Sequence, residues 1–187
     1  MQRVYRWQSD EGIGLEHLSL QQRDDVIVAE SVIIGVDPDS GEGGLFGCTY
    51  RICCDARWRV RAVEVHTAGG DSRVLTTDGG GSWRDGDGLA IPELAGCLDV
   101  DISATPFTNT LPIRRLGDQL RQRTGLSVVY IPVPTLALAP AEQAYTRLAE
   151  RRYLYEGPIG SFQAEIEVDP DGLVVTYPAL FRRLLPP

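Results

Sequence analysis

The strictest pattern in the chain is Ser161-Phe162-Gln163-Ala164-Glu165-Ile166-Glu167-Val168, where polar and apolar residues alternate without a break. A period of two places Phe162, Ala164, Ile166 and Val168 on one face of an extended strand, the mark of a sheet with one buried side. Asp169-Pro170-Asp171-Gly172 follows, and Leu173-Val174-Val175-Thr176-Tyr177 runs back. Pro presets φ for the turn and Gly accepts a positive φ, so the expectation is a β-hairpin.

Other segments repeat this logic. Residues 26–36 are apolar and β-branched enough for a well-buried strand. Trp58, Val60 and Ala62 share one parity while Val63 and Val65 share the other, and that slip at Ala62-Val63 predicts a β-bulge that bends the sheet. Asp78-Gly79-Gly80-Gly81 and Asp85-Gly86-Asp87-Gly88 read as turns around a short strand at Trp83, and residues 126–133 as a strand ended by Pro132 and Pro134. Twenty Gly and twelve Pro agree with many short strands joined by turns. Two helices are expected. In 141–152, led by Pro140, Ala144, Leu148 and Ala149 fall on one stripe; in 112–124, Ile113, Leu116 and Leu120 are spaced three and four, with Gly125 beyond the end. A helical turn is also expected over 178–185.

These elements predict a mostly β (α+β) fold: a strongly curved antiparallel sheet, a β-roll or open barrel, with one or two covering helices, Pro140–Arg152 or its surroundings supplying one of them. A length of 187 residues suits a single domain over 1–187. Two related halves are suggested by Val36-Asp37-Pro38-Asp39 and Val168-Asp169-Pro170-Asp171, each upstream of Thr-Tyr (Thr49-Tyr50 and Thr176-Tyr177). A rival register sets Ile52 and Asp55 against Ile166 and Asp169, and both registers stay open.

Charge narrows the partners. Twenty-six acidic residues against 18 basic ones give a net −8, which repels phosphate backbones, so no nucleic-acid partner is expected. Every basic residue is Arg; with no Lys, Schiff-base chemistry and a Walker-type phosphate lysine are excluded. Met1 to Trp7 lacks an apolar signal core and no run approaches ~18 apolar residues, so the expectation is a cytoplasmic protein without an integral membrane segment. Cys48, Cys53, Cys54 and Cys97 lack metal-ligand spacing and read as reduced thiols; no metal or cofactor is expected.

The least ordinary stretch is 99–116. Asp99 and Asp101 alternate with Val100 and Ile102, so the two carboxylates share a strand face. Thr105, Thr108, Asn109 and Thr110 have side chains that bond local backbone and stabilise an irregular loop, and Arg114 and Arg115 close the run. Two readings compete. Arg114 or Arg115 holds an anionic or sugar head group, or the same arginines pair with Asp99 or Asp101 and pin the loop without a ligand. Trp7, Trp58, Trp83 and Phe107, with Tyr145, Tyr153 and Tyr155, line an apolar pocket or fill the core.

The whole chain resembles a bacterial family described as putative glycolipid-binding proteins, long classed as a domain of unknown function. The likeness runs from Trp7 through Tyr50-Arg51-Ile52, Asp55, Trp58, Gly81 and Trp83 to Asp99-Val100-Asp101-Ile102 and the 105–116 run, and ends in Val168-Asp169, Gly172-Leu173-Val174 and Tyr177-Pro178. The 99–116 block is its specific part. The resemblance implies a duplicated β-roll similar to the open barrels of bacterial lipoprotein carriers, with helices against the concave side. Non-catalytic binding of a glycolipid or a lipid-like amphiphile is the function expected from it. Binding residues are sought among Trp7, Trp58, Trp83, Asp99, Asp101, Thr105, Phe107, Asn109, Thr110, Arg114 and Arg115. The alternatives are a sugar or lipid hydrolase working through Asp99 and Asp101, and a protein-interaction module. No nucleophile elbow and no His-containing triad is present, which favours binding.

Overall fold

The computed structural model describes residues 2–37, 44–158 and 162–184. The chain forms β1 (Gln2–Ser9), β2 (Leu15–Arg23), β3 (Val26–Asp37), β4 (Gly44–Asp55), β5 (Val60–Thr67), β6 (Ser72–Thr77) and β7 (Trp83–Asp85) as an antiparallel meander. It then runs through a 3-10 turn at Pro92–Leu94 to β8 (Asp99–Ile102). A helical connection follows, made of a 3-10 turn Phe107–Asn109, α1 (Thr110–Leu116) and a second 3-10 turn Gly117–Arg121. The last run is β9 (Thr124–Ile131), β10 (Ala139–Ala149), β11 (Arg152–Glu156), β12 (Gln163–Val168), β13 (Val174–Tyr177) and β14 (Phe181–Arg183).

All fourteen strands belong to one curved, unclosed sheet in the order β7-β6-β5-β4-β3-β2-β1-β14-β13-β12-β11-β10-β9-β8. Pairing of β1 with β14 joins the first and last strands at its centre, and β8 with β9 is the one parallel pair among the described residues. A parallel pair needs a crossover, and the helical connection is that crossover. The two edges, β7 and β8, are only three and four residues long, which leaves little unpaired backbone to template another chain. The expected mostly β, curved-sheet architecture is therefore the observed one.

Two apolar cores lie against the sheet. One gathers Trp7, Leu18, Ile52, Val63, Trp83 and Ile131; the other gathers Leu126, Tyr145, Tyr155, Ile166 and Tyr177. The helical connection wedges between them, sending Phe107 and Leu111 into the first and Ile113 and Leu120 into the second.

Several local expectations are met and others corrected. The hairpin is β12–β13, with Ala164, Ile166 and Val168 buried on one face. Cys53 pairs with Ala62 and Cys54 with Val60, so the bulge exists but its extra residue is Arg61, one position before the expected slip. Residues 141–152 are not helical: they form most of β10 and enter β11. Paired on both sides, by β9 and β11, this segment satisfies its backbone in ladders, and that tertiary placement overrides the helical spacing of its alanines. The 112–124 helix is shorter than expected, because Gly117 at φ 53° ends α1 and the remainder tightens into a 3-10 turn. Residues 178–180 form a turn and Phe181–Arg183 a strand rather than a helix. Pro38 and Asp39 of the first repeat register, Ser161 of the hairpin pattern and Leu185 lie outside the described residues.

Candidate ligand cavity

Alternation along β2 buries Glu16 and Leu18 and exposes Leu15 and His17, so a carboxylate occupies an inward position beside apolar neighbours. Glu16 stands opposite Trp7 of β1 and Ile33 of β3. Its Oε1 accepts from Ser31 Oγ at 2.8 Å and from Tyr50 Oη at 2.7 Å, and its Oε2 accepts from Thr105 Oγ1 at 2.7 Å. Thr105 Oγ1 in turn accepts from the Phe107 backbone N–H at 3.0 Å, and Phe107 stacks on Tyr50 with ring centroids 6.3 Å apart. The start of the helical connection is thus latched to β2 and β4.

Burial pushes the Glu16 carboxyl up to about 7, while the three hydroxyl donors pull it the other way. Tyr50 is raised well above the usual phenol range by burial and by Glu16, so it stays a neutral donor. Cys48 is pushed up to about 12 by burial and the same carboxylate and stays a thiol.

Glu16 and Trp7 line a cavity of about 240 Å³. Ile33, Phe46, Val133 and Phe181 add apolar wall, and Ser103 and Ala104, just after β8, close one side. The Trp7 indole is fixed by a 2.8 Å hydrogen bond from Nε1 to the Val174 carbonyl, which ties the first half of the sheet to the second. At the mouth stand Ile13 and Ile34, 60% and 55% exposed. An apolar wall with a few polar groups is how small-molecule sites are built. The volume, below the ~300 Å³ of typical ligand pockets, suits part of an amphiphile better than the whole of a large ligand.

The residues singled out in 99–116, with Trp58 and Trp83, spread over three places: a clamp, a small second cavity and the core, which takes Phe107 and Trp83. Asp99, fully buried, accepts a bidentate contact from Arg115, with Nη2 at 2.5 Å from Oδ2 and Nε at 3.1 Å from Oδ1. Burial pushes Asp99 above the usual carboxylate range and Arg115 draws it back. Asp101 accepts from Gln143 Nε2 at 2.6 Å and Thr108 Oγ1 at 3.2 Å, and burial raises it against those two bonds. Asn109 Oδ1 accepts from Tyr145 Oη at 2.8 Å, while Thr110 Oγ1 is buried without a hydrogen-bond partner among the described residues. This first group clamps the helical connection to β8 and β10. Trp58 and Arg114 form the second place, with the guanidinium 5.3 Å above the indole in a shallow cavity of about 70 Å³ that also holds Arg3 and Asp171. Trp83 belongs to the core, its Nε1 donating to the Cys97 carbonyl at 2.8 Å. Of the predicted residues only Trp7 lines the larger cavity, and Thr105 reaches it through Glu16. Glu16 itself was not singled out, though a Glu two residues before Leu18 and four before Leu20 carries a parity signal.

The four cysteines are free, and no cluster of His, Cys, Asp or Glu among the described residues is arranged for a metal. No helix among them is long and apolar enough to cross a membrane.

A wide unclosed sheet wrapped around a helical wedge, with an apolar cavity and a buried carboxyl, defines a β-roll with room for a ligand. The chain belongs to the family described as "Putative glycolipid-binding", whose model matches residues 4–183. It is also similar to a solved structure of a DUF1089 family protein from Pseudomonas aeruginosa. That chain is 44% identical, with 91% of this chain and 92% of that one covered and a TM-score of 0.80. No curated protein matches it.

Proposed function

We propose that this chain is a non-catalytic binding protein for a glycolipid or similar amphiphile, and that the cavity beside Trp7 and Glu16 is where the ligand sits. The observation that carries the reading is a cavity whose apolar wall, Trp7, Ile33, Phe46, Val133 and Phe181, offers contact to an alkyl chain, with Asp10, Glu11 and Asp37 also in its lining to meet a polar head. The family description points the same way. A hydrolase built on Asp99 and Asp101 is disfavoured, because Arg115 and the Gln143–Thr108 pair already occupy those carboxylates.

The whole of 1–187 acts as one domain in this reading. A cytoplasmic location is supported by four unpaired thiols. The test is titration of the purified protein with octyl glucoside, followed by Trp emission and native mass spectrometry. A saturable shift that disappears in A104F, which fills the cavity, is expected. An unchanged spectrum, or binding undiminished in A104F, overturns the site.

A further inference from the structure

Resting on that reading, we propose that the cavity sorts amphiphiles by the charge of the head group, admitting cationic heads, tolerating neutral ones and rejecting anionic ones. Four carboxylate-bearing residues line it: Glu16 at the wall, with Asp10, Glu11 and Asp37. No Arg or His is among the described residues that line it. Asp10 and Glu11 lie in the β1–β2 turn on the exposed side of the mouth, so an entering head group passes them before it reaches the apolar wall.

The walls are low in dielectric, and walls of one sign focus the field into the opening. A carboxylate or phosphate head then meets like charge at the mouth, from Asp10 and Glu11, and finds no Arg or His to pair with among the described lining residues. An ammonium head meets opposite charge at the same place. The expectation that Arg114 or Arg115 would receive an anionic head does not apply to this cavity: Arg115 is held by Asp99, and Arg114 lies over Trp58 in the other one. Charge complementarity therefore commits the larger cavity to an amine-bearing or uncharged amphiphile.

The experiment compares three octyl-chain probes near neutral pH and low salt: octylammonium, octyl glucoside and octanoate. Each is titrated calorimetrically into wild type, A104F and D10N/E11Q. The expected order is octylammonium, octyl glucoside, octanoate, with the ammonium on the order of tenfold or more tighter than the carboxylate, which is ~1.4 kcal/mol or above. D10N/E11Q, whose two substitutions sit at exposed positions, narrows that ratio to about threefold or less, and added salt narrows it in wild type. Ammonium binding that survives in A104F is attraction to the acidic surface at large and overturns the proposal. Glucoside binding with octanoate equal to or tighter than octylammonium overturns charge selection and leaves the amphiphile site standing. A ratio unchanged in D10N/E11Q overturns the role given to the mouth. Failure of all three probes to bind removes the amphiphile reading and this inference with it.

Discussion

Thr105 Oγ1 donates to Glu16 Oε2 across 2.7 Å, although 89 residues separate the two in sequence. One end of the contact is on β2 and the other opens the helical connection, so the wedge that fills the roll is fastened to its wall at the cavity itself. With Tyr50 and Ser31 on the same carboxyl, three hydroxyls surround a group that burial holds closer to neutral than water would.

Stability therefore depends on pH through Glu16, with a defined sign. The folded carboxyl titrates at about 7 and the unfolded one near 4.5, so the native state holds the proton more tightly. Its contribution is fully present below 4.5, declines as pH rises and is lost above about 7. At ~1.4 kcal/mol per pH unit the full swing is roughly 3 kcal/mol. Denaturant unfolding of wild type and E16Q is expected to show wild type losing that amount relative to the variant across the window. T105V removes one donor to the carboxylate and moves the loss to higher pH. A pH-independent difference between wild type and E16Q contradicts the buried carboxyl.

Asp99 and Arg115 make a pair of a different kind. Asp99 is fully buried and its guanidinium partner nearly so, so removing one side strands a charge. R115A is expected to cost ~3–5 kcal/mol, and D99N/R115M to recover a large part of it, because removing both charges leaves none unpaired. Arg121 with Asp118, both more than two-thirds exposed, is the contrast: R121A stays within about 0.5 kcal/mol. Urea midpoints for the four proteins decide it, and equal losses in R115A and R121A contradict the buried clamp.

This pair also shows what was legible in the sequence. Asp99, Asp101, Arg114 and Arg115 stand out by residue type and by closeness in a short run, which made an ion pair one of two readings, and the structure selects Asp99 with Arg115. β12 was legible because one face is buried and the other wet, so that the period of two is written into its residues, whereas β2 alternates in burial without so regular a residue pattern. Residues 141–152 were not legible, since Gln143, Ala144 and Tyr145 are buried in succession and no alternation survives. The cavity was illegible for a geometric reason. Its wall comes from β1–β4, from the chain after β8 and β9, and from the β13–β14 turn, and only the sheet order brings these together. A run of unusual residues at 99–116 need not be one site, and here it divides between a clamp, a core and a second small cavity.

Arg114 lies over the Trp58 ring at 5.3 Å while remaining exposed. A cation–π contact at an exposed site contributes ~0.5–1 kcal/mol. R114A is expected to lower stability by no more than that and to leave octyl glucoside binding unchanged, since neither residue lines the larger cavity. Weakened glucoside binding in R114A would place the ligand at the other end of the roll.

Among the described glycines with a positive φ, Gly81 is the one where a Cβ would meet backbone closer than 3 Å. It has φ +97° and precedes β7, and its carbonyl accepts from the Gly96 N–H at 2.9 Å. A Cβ at Gly81 would lie 2.9 Å from Gly96 Cα and 3.0 Å from Gly96 N. Both atoms are backbone, so no rotamer change relieves the clash and the turn before Trp83 must separate from the 3-10 turn at Pro92–Leu94. Gly88 has a similar φ, +81°, but a Cβ there meets nothing within 4 Å. G88A is thus expected to cost only the strain of a positive φ, ~1–3 kcal/mol. G81A bears that strain plus overpacking, about 1–3 kcal/mol beyond G88A. Thermal unfolding of the two variants side by side separates the contributions, and equal melting temperatures would mean that Gly81 and Gly96 do not approach as closely as the structure places them.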